Sequence, residues 1–299
     1  MPNNIIAIIF DFDITLSPEF QQQVIFDDWN VEASDFWKES VHNIANGYDM
    51  EHGYLKTLID YGKRNPKYAL NNQKLYEYGK KVNLYQGLSR KEENDSIFDD
   101  LEAILGKENY KSHNITLEFY CISGGITEMI DASLTQHNIR HYFKEIFACR
   151  MDEDENGKLT YIKETVGHTI KTQKLYMISK GVLPSNGDNP ALVNEVTKHY
   201  RIPFNQMIFL GDGQTDIPVF SLINSMGGTS VAVYREEKNS DGTINEEATL
   251  KTYHSGYKLA IESKRAEQLL PADYSNGKPL KMALLAYVEK IATKIVNNA

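Results

Sequence analysis

Cysteine and long apolar runs are scarce in this chain of 299 residues. Its two cysteines, Cys121 and Cys149, cannot form the disulfide framework of a small secreted protein, and both lie in apolar stretches where we expect core residues. No segment approaches the roughly 20 apolar residues that span a bilayer, so no membrane insertion is expected. The N-terminus lacks the basic region of a signal peptide, and we therefore predict a cytoplasmic protein.

Positive charge is also in short supply, because the formal net charge is -9 at pH 7. A negative field repels nucleic acid and anionic membranes, so neither is expected as a partner. Any phosphate-bearing substrate must then be attracted by a local cation. The histidines and cysteines show no zinc-like spacing, and no feature of the sequence indicates an oligomeric state.

Short apolar runs bounded by turn residues predict buried strands of a parallel sheet. These runs cover residues 5–10, 117–122, 146–149, 207–210 and 230–233. Helical patterns over about 171–180, 191–199 and 280–296 alternate with them, and Asn156-Gly157 indicates a hairpin. We therefore expect an α/β fold, a Rossmann-like parallel sheet with helices on both faces.

Residues 17–111 differ in character from the rest of the chain. They are polar and rich in aromatic residues, and their apolar positions recur at spacings of three and four. This pattern predicts a helical module inserted after the first strand. The expected organisation is a core domain built from residues 1–16 and 112–299 and an inserted helical domain built from residues 17–111.

Two acidic clusters directly follow predicted strands, Asp11 with Asp13 and Asp212 with Asp216. Open α/β sheets bind ligands at the carboxyl ends of their strands, so all four acids should lie near one another. They would repel one another unless a cation held them, and Mg²⁺ fits best because it takes few carboxylates and keeps several waters. Taken alone, the first cluster would more often be a solvated turn, and the alternative for the second is a turn followed by an N-cap aspartate.

Asp11 is the best candidate for a nucleophile, because a carboxylate beside a divalent cation can attack phosphorus. Asp13 can donate a proton to the leaving oxygen and later accept one from water. Ser123 and Gly124 offer a hydroxyl and backbone N–H groups that suit phosphate oxygens, with a plain helix cap as the alternative.

A cation is also needed to balance a phosphoryl group, and Lys171 and Lys174 are the two candidates. Both stand in the helix predicted after the hairpin. Lys171 is preferred for its spacing to Leu175, a predicted core position.

Together these segments resemble the haloacid dehalogenase superfamily of phosphatases, and most closely its phosphoserine phosphatase-like branch. The family pattern is a strand followed by D-x-D-x-[TV], a strand ending in Ser or Thr, a lysine, and a strand followed by G-D-x-x-x-D. Its counterparts here are Asp11 to Thr15, Ser123, Lys171 and Gly211 to Asp216. The presence of Asp13 favours phosphate-ester hydrolysis, because family dehalogenases lack a carboxylate at that position.

The resemblance implies that Asp11 is phosphorylated and that Asp13 serves as the acid and base. It implies that Ser123, Gly124 and Lys171 bind the phosphate. It also implies a Mg²⁺ site formed by Asp11, the backbone carbonyl of Asp13, and Asp212, with Asp216 close behind.

The expected function is therefore Mg²⁺-dependent hydrolysis of a small phosphorylated metabolite through an aspartyl phosphate. The cap, of the type called C1, chooses the substrate in this superfamily. Because residues 17–111 exceed the usual four-helix cap, phosphoserine is not carried over as the substrate. Two alternatives are phosphate transfer or mutase chemistry on the same aspartyl phosphate, and a non-catalytic binding module on the same fold.

Overall fold

The computed structural model describes residues 4–90 and 96–298, which centre on one seven-stranded sheet. The strand order is β4-β3-β2-β1-β5-β6-β7, and every neighbouring pair is parallel except β3 with β4. The strands are β1 (Ile5–Phe10), β2 (Thr116–Ile126), β3 (Phe143–Glu153), β4 (Leu159–Glu164), β5 (Met207–Gly211), β6 (Thr229–Tyr234) and β7 (Gln268–Pro271).

Eleven α-helices accompany the sheet within the described ranges. Those between β1 and β2 are α1 (Gln23–Trp29), α2 (Ala33–Ala45), α3 (Met50–Arg64), α4 (Asn72–Gly79), α5 (Ile97–Leu105) and α6 (Glu108–Lys111). Those after β2 are α7 (Thr127–Gln136), α8 (His168–Lys180), α9 (Ile217–Ser225), α10 (Glu246–Gly256) and α11 (Pro279–Asn297). None of these described helices is both long enough and apolar enough to cross a membrane.

The central strand β1 shows how the two faces of the sheet are covered. Its side chains alternate between faces, as the pleat requires. Ile8 belongs to an apolar cluster that includes residues of α5, α7 and α11, whereas Ile9 belongs to a second cluster with residues of α8 and α9. Helices therefore lie on both faces, and the predicted fold class is confirmed.

Helices α1 to α3 share an aromatic core, and together with α4 we call them the inserted helices. Phe36 is fully buried, with its ring centroid 4.6 Å from that of Phe26 and 5.2 Å from that of Trp37. Trp29 stacks on Tyr61 at 5.8 Å. Phe36 and Trp37, two of the apolar positions with helical spacing, pack together here.

The next helix, α5, packs against the sheet instead. The ring of Phe98 lies 5.0 Å from that of Phe119 in β2 and 6.2 Å from that of Phe10 in β1. We retain the division into a core and a helical cap as a proposal, and these contacts favour placing α5 with the core rather than with residues 17–111.

Most predicted elements after β2 are present. The Asn156-Gly157 turn joins the antiparallel strands β3 and β4, and Gly157 has a φ of 68°. Helix α8 ends at Gly181, which is also left-handed with a φ of 76°, as expected of a helix C-terminus. The predicted terminal helix is α11. Strand β7 was not predicted, because this half-exposed edge strand is only four residues long and ends in Pro271.

The predicted helix over residues 191–199 is wrong. The chain forms only a short 3-10 helix, Pro190–Asn194, in which Val193 is buried, whereas Val196 is 99% exposed, so no continuous helical face is buried. The ammonium of Lys180 donates hydrogen bonds to the carbonyls of Val193 and Glu195, each at 2.6 Å. An α-helix would need such carbonyls for its own hydrogen bonds.

Candidate active site

Asp11 follows the central strand and is fixed by three contacts. Its backbone N–H donates to the carbonyl of Leu210 at 2.9 Å, which extends the β1–β5 pairing by one residue. Its Oδ1 accepts the N–H of Phe12 at 2.7 Å, and its Oδ2 accepts the ammonium of Lys171 at 2.8 Å. With 5% exposure, the carboxylate is held at the carboxyl edge of the sheet.

The chain coils directly after Asp11. The carbonyl of Phe12 accepts three N–H groups at 2.8 to 3.2 Å, those of Thr15, Leu16 and Ser17. Ile14 adopts a left-handed φ of 60° within this coil. Asp13 Oδ1 accepts the backbone N–H of Gln21 at 2.9 Å. Burial raises the pKa of Asp13 to about 7, although the Gln21 hydrogen bond acts in the opposite direction.

Lys171 connects the two acidic clusters that the sequence separates by about two hundred residues. Its side chain is fully buried, and its ammonium donates to Asp11 at 2.8 Å and to Asp216 at 2.7 Å. Burial alone would lower the pKa of this lysine, but the two carboxylates outweigh burial and raise it. The ammonium therefore stays charged inside the site.

Lys174 occupies a different environment one turn further along α8. Its ammonium contacts Glu164 at 2.6 Å and lies 5.5 Å from the ring centroid of Phe147. Of the two candidate lysines, the structure brings Lys171 to the acidic clusters.

Three carboxylates converge at this edge of the sheet. Oxygens of Asp11, Asp212 and Asp216 all lie within 4.8 Å of one another. Gly211 makes the approach possible, because a Cβ at that position would lie 2.4 Å from Oδ2 of Asp216. The same oxygen accepts the N–H of Gly213 at 3.2 Å, which holds the turn after β5.

The charges of this cluster do not balance. Burial and the nearby acids raise the pKa of Asp212 well above its usual range, and burial raises the pKa of Asp216 to about 7 despite Lys171. Within the described residues, Lys171 is the ammonium that contacts the cluster. An all-oxygen donor set with excess negative charge suits a hard divalent cation, so these residues fit Mg²⁺. The carboxylate of Asp13 is not among the three that cluster.

Ser123 and Gly124 lie near the end of β2, beside Asp11. The register that pairs Phe10 with Cys121 brings these two strand ends together. Ser123 is buried, and its Oγ accepts the N–H of Gly125 at 3.1 Å. Its own O–H proton remains available, because accepting a hydrogen bond does not use it. The Gly125 N–H, in contrast, already has a partner.

Gln21 was not predicted as a site residue, yet it connects Asp13 to β2. It is 1% exposed, and its Oε1 accepts the N–H of Ile126 at 2.9 Å. A Cβ at Gly125 would lie 1.8 Å from Nε2 of Gln21, so the glycine provides the space for this amide. No motif marks Gln21, because the contact depends on the coil that returns the chain toward β2.

No family model matches the chain. An uncharacterized protein of Borreliella burgdorferi is 29% identical over 305 residues, which cover 93% of this chain and 94% of that protein. The similarity therefore extends over nearly the full length of both.

Several solved structures resemble this one at low sequence identity. A probable phosphoserine phosphatase of Vibrio cholerae is 11% identical, with a TM-score of 0.50 over 98% of this chain and 68% of that one. A hydrolase of the HAD (haloacid dehalogenase) family from Salmonella enterica serovar Typhi is 16% identical, with a TM-score of 0.49. The match covers 78% of this chain and 63% of that chain, which is less than two thirds of its length. A phosphoserine phosphatase with a phospho-aspartyl intermediate analogue is 17% identical, with a TM-score of 0.46 over 93% and 97%.

The chain has the haloacid dehalogenase-type fold, and the predicted resemblance is confirmed at the level of the fold. This assignment of the fold rests on the structure of the Vibrio cholerae protein, which matches almost the whole of this chain.

Proposed function

We propose that this protein is a Mg²⁺-dependent phosphatase that hydrolyses a small-molecule phosphate monoester through a phosphorylated Asp11. The observation that carries the proposal is the buried ammonium of Lys171, which bridges Asp11 and Asp216 at 2.8 and 2.7 Å. A nucleophilic carboxylate, a fixed cation and further acids then share one strand edge, as phosphoryl transfer requires.

In the first half of the reaction, an oxygen of Asp11 forms a bond to phosphorus while the ester P–O bond breaks. Asp13 donates its proton to the leaving oxygen, which departs as an alcohol. Lys171 holds the Asp11 carboxylate in position. The free O–H of Ser123 and the backbone N–H of Gly124 would bind phosphate oxygens.

In the second half, water attacks the phosphorus of the acyl phosphate. Asp13 accepts a proton from that water, the bond between phosphorus and Asp11 breaks, and inorganic phosphate leaves. A Mg²⁺ held by Asp11 and Asp212, with Asp216 close behind, would supply positive charge to the phosphoryl oxygens. The same carboxylates support the proposal of that cation, because Lys171 alone does not neutralise them.

The inserted helices would act as the cap that limits the substrate to a small metabolite. Tyr54 of α3 donates its hydroxyl to the carbonyl of Gly124 at 2.7 Å, so this helix covers the proposed phosphate site. We also propose a cytoplasmic location, which the two buried, unpaired cysteines favour because a reducing compartment keeps thiols free.

The experiment is hydrolysis of p-nitrophenyl phosphate by the purified protein with Mg²⁺. Asp11→Asn should abolish turnover, because an amide cannot form the acyl phosphate. Asp27→Asn is the matched control, since this exposed aspartate of α1 contacts Gln23 away from the site. Acid-quenched wild type should carry one phosphoryl group that Asp11→Asn lacks in mass spectrometry. Equal turnover by wild type and Asp11→Asn would refute the proposal.

A further inference from the structure

Helix α3 reaches the carboxyl edge of the sheet with two side chains, Glu51 and Tyr54. They are three residues apart and therefore share one face of the helix. The hydroxyl of Tyr54 donates to the carbonyl of Gly124. Glu51 lies beside the same glycine, because a Cβ at Gly124 would be 3.7 Å from its Oε1.

Gly167 provides the space for the Glu51 carboxylate. A Cβ at Gly167 would lie 2.0 Å from Oε1 and 2.3 Å from Oε2 of Glu51. The φ of Gly167 is -140°, which any residue can adopt, so backbone conformation does not require glycine here. The need for glycine at this position comes from the glutamate of the inserted helices.

Glu51 is 7% exposed, and its carboxylate has no hydrogen-bond partner in residues 4–90 and 96–298. Neither oxygen is among the fully buried polar atoms that lack a partner, so water can still reach the carboxylate, and nearby positive charge stabilises it further. Two helix N-termini supply partial positive charge, since Glu51 stands in the first turn of α3 and against the residue that precedes α8.

Helix α8 is the element that carries Lys171, at its fourth residue. A contact at Gly167 therefore acts on the first turn of the helix that positions the bridging ammonium. Gly167 is the extended residue directly before α8, and His168, the first residue of that helix, has a left-handed φ of 38°. Only three residues separate Gly167 from Lys171, so a shift at Gly167 is expected to move Lys171.

We propose that Glu51 is a positioning residue that docks the inserted helices on Gly167 and fixes the first turn of α8, and with it Lys171. This inference rests on the proposed function only for its effect on turnover. The docking contact itself can be measured without catalysis.

The first test is hydrogen exchange of the backbone amides at residues 168–172. Glu51→Gln keeps the size of the side chain and removes its charge, so exchange in that segment should accelerate at least about threefold. Glu77→Gln is the matched control, because Glu77 lies on α4 and pairs with Lys80 at the surface. Exchange that is unchanged by Glu51→Gln would overturn the proposal.

The second test is a double-mutant cycle on kcat/KM for p-nitrophenyl phosphate. Gly167→Ala should displace the Glu51 carboxylate, and Glu51→Ala should remove it, so each should cost about 10- to 100-fold. The double variant should lose no more than the worse single variant, because shortening Glu51 relieves the collision at residue 167. Independent, multiplied losses would overturn the proposal.

Two further outcomes separate this inference from others. If Glu51→Gln raises KM only for esters that carry an ammonium group, the carboxylate recognises substrate and the positioning role is wrong. If wild type has no turnover, the proposed function fails, while the exchange measurement still decides whether Glu51 fixes α8.

Discussion

Asp212→Asn should stabilise the metal-free protein. Oxygens of Asp11, Asp212 and Asp216 lie within 4.8 Å of one another, and two unit charges at that distance repel by about 3.5 kcal/mol at an effective dielectric constant of about 20. Lys171 attracts all three acids, and protonation relieves part of the repulsion. Removing the Asp212 charge should therefore raise the free energy of unfolding by about 1–3 kcal/mol, as at other sites where function opposes stability.

Thermal unfolding with EDTA and with Mg²⁺ measures this effect. With EDTA, Asp212→Asn should melt about 2–8 °C above wild type, given how melting temperature scales with unfolding free energy in domains of this size. Wild type should gain about 2.7 kcal/mol when free Mg²⁺ is 100 times its Kd, and the variant should gain little. Asp27→Asn is the charge-matched control. A variant that melts below wild type in EDTA would refute the electrostatic reasoning.

Three other substitutions test the geometry of the cluster. Lys171→Met leaves buried carboxylates without their ammonium and should cost about 3–5 kcal/mol of unfolding free energy, together with turnover, in denaturant titrations and the phosphatase assay. Lys174→Met should lower the free energy of unfolding by less than about 1 kcal/mol and keep turnover, because its partner Glu164 is partly solvated. Loss of activity in this variant would contradict the assignment of Lys171 as the active-site lysine. Gly211→Ala should lower the free energy of unfolding by about 1–3 kcal/mol, because the new Cβ would collide with Asp216. Unchanged stability would contradict this contact.

The acidic clusters were predictable because their placement follows from local pattern and sheet topology. An apolar run before Asp11 and another before Asp212 mark β1 and β5, which are neighbours in the sheet. Parallel strands bring their carboxyl ends to one edge, so the proximity of the acids required no knowledge of side-chain contacts. The preference for Lys171 rested on its spacing to Leu175, which is buried in α8, although Lys174 is buried in the same helix.

Other features depend on contacts that no local pattern records. Gln21 reaches Ile126 only after the coil at Phe12, and Glu51 meets Gly167 across the boundary between the inserted helices and α8. The helix predicted over residues 191–199 is wrong for a different reason, because the local pattern is present but the chain does not follow it. Their apolar residues have helical spacing, but the ammonium of Lys180 binds two of the carbonyls, and Val193 is buried while Val196 is exposed.

The position of Lys171 makes the site dependent on the complete fold. Its two partners lie 160 and 45 residues away in the chain, Asp11 directly after β1 and Asp216 in the turn between β5 and α9. A fully buried ammonium is favourable only when both carboxylates are present, so its position depends on the assembly of α8 with both of these segments. The same burial leaves three acids facing one lysine. The arrangement that fixes the nucleophile thus also leaves a deficit of positive charge, which a cation and an incoming phosphate ester would together resolve.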